Sequence, residues 1–179
     1  MNVYLVRHCQ AAGQEPDAPL TPAGEARARD LAEFLGERGI RRIVSSPFAR
    51  GRASVAPLAE RLGLAVEIDD RLAERVLCGA PLVDWRERLR ASFDDVDLCL
   101  DGGESSRVAM ARGAAALRDA LDGARPVVVV THGNLLALLL RHLDDRSGFT
   151  AWERLTNPDV FSITVLADAL RVERIWREG

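Results

Sequence analysis

The amino-acid sequence predicts an α/β protein, a three-layer α/β/α sandwich with a mostly parallel central sheet. Three observations carry that expectation. Short apolar, β-branched runs recur, most clearly at residues 3–6 and 127–130, and read as strands buried on both faces. Stretches with helical periodicity lie between such runs, opened by the cap-plus-proline pairs Thr21-Pro22 and Ser46-Pro47. Glycines stop these helices at Gly39, Gly63 and Gly123. The 179 residues suit one domain over 1–179, large enough to bury roughly 70% of the surface exposed by its unfolded chain.

Taken in order, Val3-Tyr4-Leu5-Val6 is the first strand and ends at Arg7-His8. Residues 8–20 are rich in Gly, Gln, Pro and Asp without periodicity, which predicts a loop. The helix after Thr21 sets Ala28, Leu31 and Leu35 on one face and is expected to run to Gly39. Arg42-Ile43-Val44-Ser45 is a second strand, a helix follows Ser46-Pro47 to Leu62, and residues 64–68 form a third strand. The pattern weakens over 69–103, where a helix at 81–93 lies within a variable excursion over one end of the sheet. Residues 104–121 are alanine-rich and helical. Pro126 leads into the strand Val127-Val128-Val129-Val130, and Gly133-Asn134 opens a helix at 135–143. Residues 161–166 and 170–176 alternate and predict an antiparallel hairpin.

Bulk properties exclude several functions. A formal net charge of -3 disfavours nucleic acid as a partner. All 24 basic residues are arginine, so chemistries that need lysine, including the P-loop and Schiff bases, are excluded. Every cation available to a site is instead a planar fork suited to phosphate or carboxylate. Cys9, Cys78 and Cys99 form no CxxC pair, which disfavours a disulfide framework or a structural zinc site. The apolar run 127–140 is broken by Thr131-His132-Gly133-Asn134 and falls short of the roughly 20 residues that span a bilayer. Met1-Asn2 leads straight into strand-like sequence without a signal-peptide pattern, so a cytoplasmic protein without membrane contact is expected.

Two strands end alike, in Val6-Arg7-His8 and in Val130-Thr131-His132-Gly133-Asn134. In an open α/β sheet, ligands bind beyond the carboxyl ends of the strands. A lone histidine there would be a satisfied, partly buried imidazole. Two of the three histidines in the chain at matching strand ends point to a shared site. His142, late in an apolar helix, has no such companion. A third strand end leads to Arg50 in the first turn of a helix, where its fork can turn towards the same crevice; standing alone it would be a surface arginine.

These residues resemble the histidine phosphatase superfamily in its phosphoglycerate-mutase-like branch. The family's Arg-His-Gly run is matched by Arg7-His8-Cys9, and its Leu-Thr-x-x-Gly helix start by Leu20-Thr21-Pro22-Ala23-Gly24. Its Ser-Ser-Pro-x-x-Arg segment is matched by residues 45–50, its Gly-Gly-Glu-Ser run by 102–105 and its Thr-His-Gly turn by 131–133. The matches fall in family order from Leu5 to Asn134. The resemblance implies a phosphoglycerate mutase-like fold and a phosphohistidine on His8. It casts Arg7, Arg50 and His132 as donors to the phosphoryl oxygens and needs neither metal nor cofactor. Donors of this kind meet the charge of the transition state. The N–H groups after Gly133, at a helix N-terminus, read as a further anion site with Asn134.

The family's acid follows its third strand in a Leu-x-Glu…Gly segment, which Leu72-Ala73-Glu74…Gly79 matches. Glu74 is therefore the candidate proton donor, against the alternative that it pairs with Arg71 or Arg75. Gln14 stands where the family often has a phosphate-binding asparagine. Cys9 replaces a glycine, and a Cβ there would strain the turn if it required φ > 0. Cysteine-based phosphatase chemistry needs an arginine six positions on, where Cys9, Cys78 and Cys99 are followed by Glu15, Asp84 and Ser105.

The expected activity is hydrolysis of a small phosphorylated metabolite. Mutases of this type resemble longer chains with a segment that covers the substrate, and the excursion at 69–103 is short. Phosphoglycerate mutase-type transfer and a catalytically weak phosphate-binding module are the alternatives. Trp85, Arg86 and Arg90 either line the mouth or form a solvated helix face.

Overall fold

The computed structural model describes residues 2–144, 148–166 and 170–177. Its sheet holds β1 (Asn2–Arg7), β2 (Arg42–Ser45), β3 (Val66–Ile68), β4 (Val127–Thr131), β5 (Asp159–Val165) and β6 (Leu170–Arg174). They lie in the order β3-β2-β4-β1-β5-β6. The pairs β1–β4, β2–β4 and β2–β3 are parallel, and β5 and β6 add an antiparallel edge. The fold is the expected α/β sandwich on a mostly parallel sheet. The predicted hairpin is β5–β6, and its turn lies outside the described residues.

Alternation along the strands builds two apolar layers. Val3, Leu5, Val127 and Val129 face α4 (Ser106–Asp122) and α5 (Gly133–Leu143). Tyr4, Val6, Val128 and Val130 face α1 (Pro22–Gly36) and α2 (Ala49–Leu62). Residues 127–130 of β4 are fully buried. Each such valine contributes about 1.5–3 kcal/mol of transfer free energy, which explains why this strand reads as unbroken valine. Among the described residues no helix is long and apolar enough to cross a membrane.

Local chemistry sets the helix ends. Thr21 caps α1 by accepting from the Gly24 N–H at 3.0 Å, as its sequence predicts. The helix stops at Gly36 rather than Gly39, one residue past its last buried position, Leu35. Gly63 closes α2 at φ 64, a left-handed cap that glycine adopts without a Cβ penalty. Ser46-Pro47 does not open α2: the helix starts at Ala49, because the Ser46 hydroxyl is engaged elsewhere. The helix expected at 81–93 is α3 (Trp85–Asp94), beginning after Pro81 and preceded by Asp84. A short helix, α6 (Phe149–Glu153), has no counterpart in the sequence expectation.

The excursion at 69–103 is anchored rather than free. A 3₁₀ turn (Asp70–Leu72) buries Leu72, and α3 contributes Leu89 and Phe93 to the α4–α5 core layer. Its two ends are stitched by Gly79 N–H to Asp101 O at 2.8 Å and Glu104 N–H to Val76 O at 2.8 Å.

Candidate active site

Register brings the strand ends level. Arg7 pairs with Thr131, and both Val6 and Ser45 pair with Val130. One step further, the His8 N–H donates to Thr131 O at 3.0 Å, and the Ser46 N–H donates to Val130 O at 3.0 Å. His8 and His132 thereby stand with ring centroids 4.9 Å apart. His142, left out of the site on sequence grounds, is exposed on α5.

The partners of His8 determine its tautomer. Nδ1 lies 2.6 Å from the Cys9 carbonyl, which can only accept, so Nδ1 carries the hydrogen. The Arg50 Nε–H donates to Nε2 at 3.3 Å, so Nε2 presents a lone pair. Burial pushes the imidazole pKa down to about 4; the Cys9 carbonyl opposes this and the Arg50 and Arg7 charges add to it. His8 is therefore neutral at pH 7, with its free nitrogen turned towards a guanidinium.

Arg50 is 1% exposed, which rules out a surface role. Its Nη1 donates to Gln14 O at 3.0 Å and Glu15 O at 2.8 Å, so the first loop holds it through main-chain carbonyls. Gln14 thus acts on Arg50 through its backbone, while the residue also lines the cavity. Phe48 lies beneath the guanidinium at 4.8 Å and meets the His132 ring edge-on at 4.9 Å. His132 Nε2 is 2.7 Å from Ser46 Oγ; in the tautomer with hydrogen on Nδ1 the Ser46 hydroxyl donates to Nε2, while its oxygen accepts from the Phe48 N–H at 3.2 Å. His132 Nδ1 is buried without a partner. Burial, then His8, Arg50 and Arg7, hold this imidazole well below its usual range.

Arg7 donates through Nη1 to Leu155 O at 3.0 Å, and its Nε is buried without a partner. Gly133 makes room for it. A Cβ there would lie 3.0 Å from Nη2 and 3.1 Å from both Cζ and Nε. Asn157 donates from Nδ2 to His8 O at 2.9 Å, tying the segment before β5 to the main chain of His8. Arg7 Nε and, in the Nδ1–H tautomer, His132 Nδ1 are thus two buried donors without a partner on residues that neighbour His8. A buried donor without an acceptor is costly, and an anionic group bound here would satisfy both.

Glu74 stands otherwise than the pairing alternative supposed. It forms no ion pair with Arg71, which is held by Asp69 and Asp119, nor with the Arg75 side chain. Its carboxylate accepts from the N–H groups of Arg75 at 2.9 Å, Asn134 at 3.1 Å and Leu135 at 3.0 Å. This corrects one expectation: Glu74 takes the N–H groups of Asn134 and Leu135, which had been read as a free anion site at the start of α5. The first N–H groups of a helix need acceptors from outside it, and here the Glu74 carboxyl oxygens supply them. Gly133 and Asn134 still line the cavity, and Asn134 Oδ1 is buried without a partner. The loop carrying Glu74 is pinned from outside. Thr131 Oγ1 donates to Leu72 O at 2.9 Å, and Arg112 donates to Arg71 O and Ala73 O while paired with Glu104 at 2.7 Å.

Cys9 fits its place without strain, because among the described residues only glycines adopt positive φ. Its N–H donates to Ser54 Oγ at 2.8 Å, and burial pushes its thiol up to about 11. Sequence reasoning missed Ser46, Asn157, Phe48 and Arg112. Only Ser46 and Phe48 carried a signal, since both lie inside the 45–50 segment.

Arg7, His8, Gln14, Glu74, Gly133, Asn134 and Asn157 line a cavity of about 690 Å³, with Arg50 and His132 buried against His8. The molecule is thus an α/β protein in which two histidines and two arginines converge beyond the carboxyl edge of a mostly parallel sheet, an arrangement suited to a phosphoryl group. A family model described as the histidine phosphatase superfamily (branch 1) matches residues 3–175, and the chain belongs to that family. It is 33% identical over 172 residues to a probable phosphoglycerate mutase, GpmB, of Shigella dysenteriae, covering 85% of this chain and 77% of that one. The structure of a mycobacterial glucosyl-3-phosphoglycerate phosphatase with inorganic phosphate matches with a TM-score of 0.78 and 29% identity, over 99% of this chain and 97% of that one. A phosphoserine phosphatase of Entamoeba histolytica, at 18% identity and a TM-score of 0.75 over 96% of this chain and 94% of that one, shares the fold.

Proposed function

We propose that the protein is a metal-independent phosphomonoesterase working through a phosphohistidine on His8. The observation that carries this reading is the His8 tautomer: Nδ1 bound to Cys9 O at 2.6 Å and the Nε2 lone pair facing the Arg50 Nε–H at 3.3 Å. In the first step the Nε2 lone pair forms a bond to phosphorus while the ester P–O bond breaks. Arg7, Arg50 and His132 donate to the three equatorial oxygens, and Gln14 and Asn134 line the cavity with Arg7. Positioning and electrostatics of this kind supply most of the catalysis of phosphoryl transfer. The departing alkoxide takes a proton from Glu74, the one carboxylate among the described residues that line the cavity. In the second step Glu74 takes a proton from water, the hydroxide attacks phosphorus and the N–P bond breaks, returning inorganic phosphate and neutral His8. Acid–base assistance at this position contributes roughly 10²–10⁴-fold.

The solved phosphatases among the similar structures support hydrolysis, and an unstrained Cys9, which leaves the turn at His8 intact, supports turnover over a catalytically weak binding module. The names of the sequence relatives favour a second reading, mutase-type transfer back from the same phosphohistidine. Incubation with 3-phosphoglycerate and a trace of its bisphosphate separates the two. Hydrolysis yields inorganic phosphate without 2-phosphoglycerate, and appearance of 2-phosphoglycerate reverses the order.

A further inference from the structure

Beyond the phosphate corner the cavity changes character. Its outer wall is built from Leu77, Pro81, Leu82, Leu89, Trp85 and Trp152, contributed by the excursion, α3 and α6. The indoles of Trp85 and Trp152 meet edge to face with centroids 6.0 Å apart. Trp152 stacks on Phe149 at 5.3 Å, and Phe149 meets the buried Phe93 at 6.1 Å, so the aromatic wall is rooted in the core. Trp85, at its outer end, is 47% exposed. An indole left so open at the rim of an apolar wall has surface to gain from a ligand.

The cations near this mouth are already engaged. Arg86 pairs with Glu153 at 2.5 Å, bridging α3 to α6, and Arg90 lies 4.5 Å over the Phe149 ring. Arg75 lines the same cavity, but Ser92, Ser106 and the Glu104 carbonyl take its Nε and Nη1, leaving Nη2 alone without a partner. The wall therefore offers rings and a single unpaired guanidinium nitrogen, Arg75 Nη2, not a second bidentate fork for a carboxylate.

Resting on the phosphomonoesterase reading above, we propose that the substrate class is a phosphomonoester with an apolar, ring-bearing leaving group seated against Trp85 and Trp152. Short anionic esters such as phosphoglycerate are poor occupants of this wall. One methylene in a fitted apolar pocket is worth about ten-fold or more in discrimination, and a ring exceeds a methylene.

Hydrolysis of 2-phenylethyl phosphate, glycerol 3-phosphate and 3-phosphoglycerate tests this, because all three are alkyl esters and leaving-group basicity does not decide the order. Affinity for 3-phenylpropylphosphonate and methylphosphonate is measured alongside by calorimetry. The expected result is kcat/KM at least about ten-fold higher for the phenylethyl ester, tighter binding of the phenyl phosphonate by a similar factor, and loss of most of both advantages in Trp85→Ala but not Trp85→Phe. Equal kcat/KM for the three esters, or equal binding of the two phosphonates, overturns the wall. A ring preference in binding with no ester hydrolysed keeps the wall and overturns the hydrolytic reading instead.

Discussion

Arg50 Nε sits 3.3 Å from His8 Nε2 while Nη1 of the same guanidinium is bound by the carbonyls of Gln14 and Glu15. One side chain thus holds the loop and faces the His8 Nε2 lone pair, and in the proposed mechanism it stands where a phosphoryl oxygen needs a donor. Arg50→Lys keeps the charge but not the fork. In steady-state assays it is expected to lower kcat/KM by roughly 10²–10³-fold, as loss of a transition-state donor does. Activity within a few-fold of wild type would remove Arg50 from the site.

The pH dependence has a definite sign. His8 in the folded chain titrates at about 4, below its usual 6.5, and His132 is also shifted well down. The unfolded chain binds these protons first, so their contribution to stability is complete above about 6.5 and is lost as pH falls through about 4. Thermal midpoints are expected to decline across that window. The kcat/KM profile of the free protein should hold from neutrality and fall only near 4. An acidic limb centred on 6.5 would contradict the buried, neutral nucleophile.

Gly133 is a spatial requirement of Arg7. In Gly133→Ala the added Cβ displaces a guanidinium whose Nη1 is already fixed on Leu155 O. Kinetics should show kcat/KM reduced by at least about ten-fold, the cost of misplacing a donor by a fraction of an ångström. Gly133→Ala with unchanged kinetics would show that Arg7 tolerates displacement.

Cys9 should be chemically silent. Its side chain is fully buried and its thiol is pushed up to about 11, whereas Cys99 is exposed. Thiolates, not thiols, react with alkylating reagents. Mass spectrometry after iodoacetamide at pH 7.5 should find Cys99 labelled and Cys9 intact. Rapid labelling of Cys9 in the folded chain would reopen thiol chemistry beside His8.

What local sequence encodes was legible, and what distant partners decide was not. Buried valine runs, the Thr21 cap and the Gly63 stop are properties of a few adjacent residues, so the core strands and most helices were readable. So was the convergence of His8 and His132, because each follows a strand and the strands are central. Ser46 was misread because Ser-Pro carries the same local signal whether the hydroxyl caps a helix or holds a histidine 86 positions away. Glu74 was ambiguous for the same reason. Its arginine neighbours suggested local pairing, while its carboxylate serves the start of α5, 60 residues on. The five-residue α6 is too short for periodicity to show.

The central claim is that His8 Nε2 carries the phosphoryl group. Rapid quenching of the protein with ³²P-labelled 2-phenylethyl phosphate, followed by peptide mapping, tests it most directly. Acid-labile, base-stable label on the peptide containing His8, absent in His8→Ala and accumulating when Glu74→Gln slows its hydrolysis, is the predicted result. Label on another residue, or phosphate release that persists in His8→Ala, would contradict it.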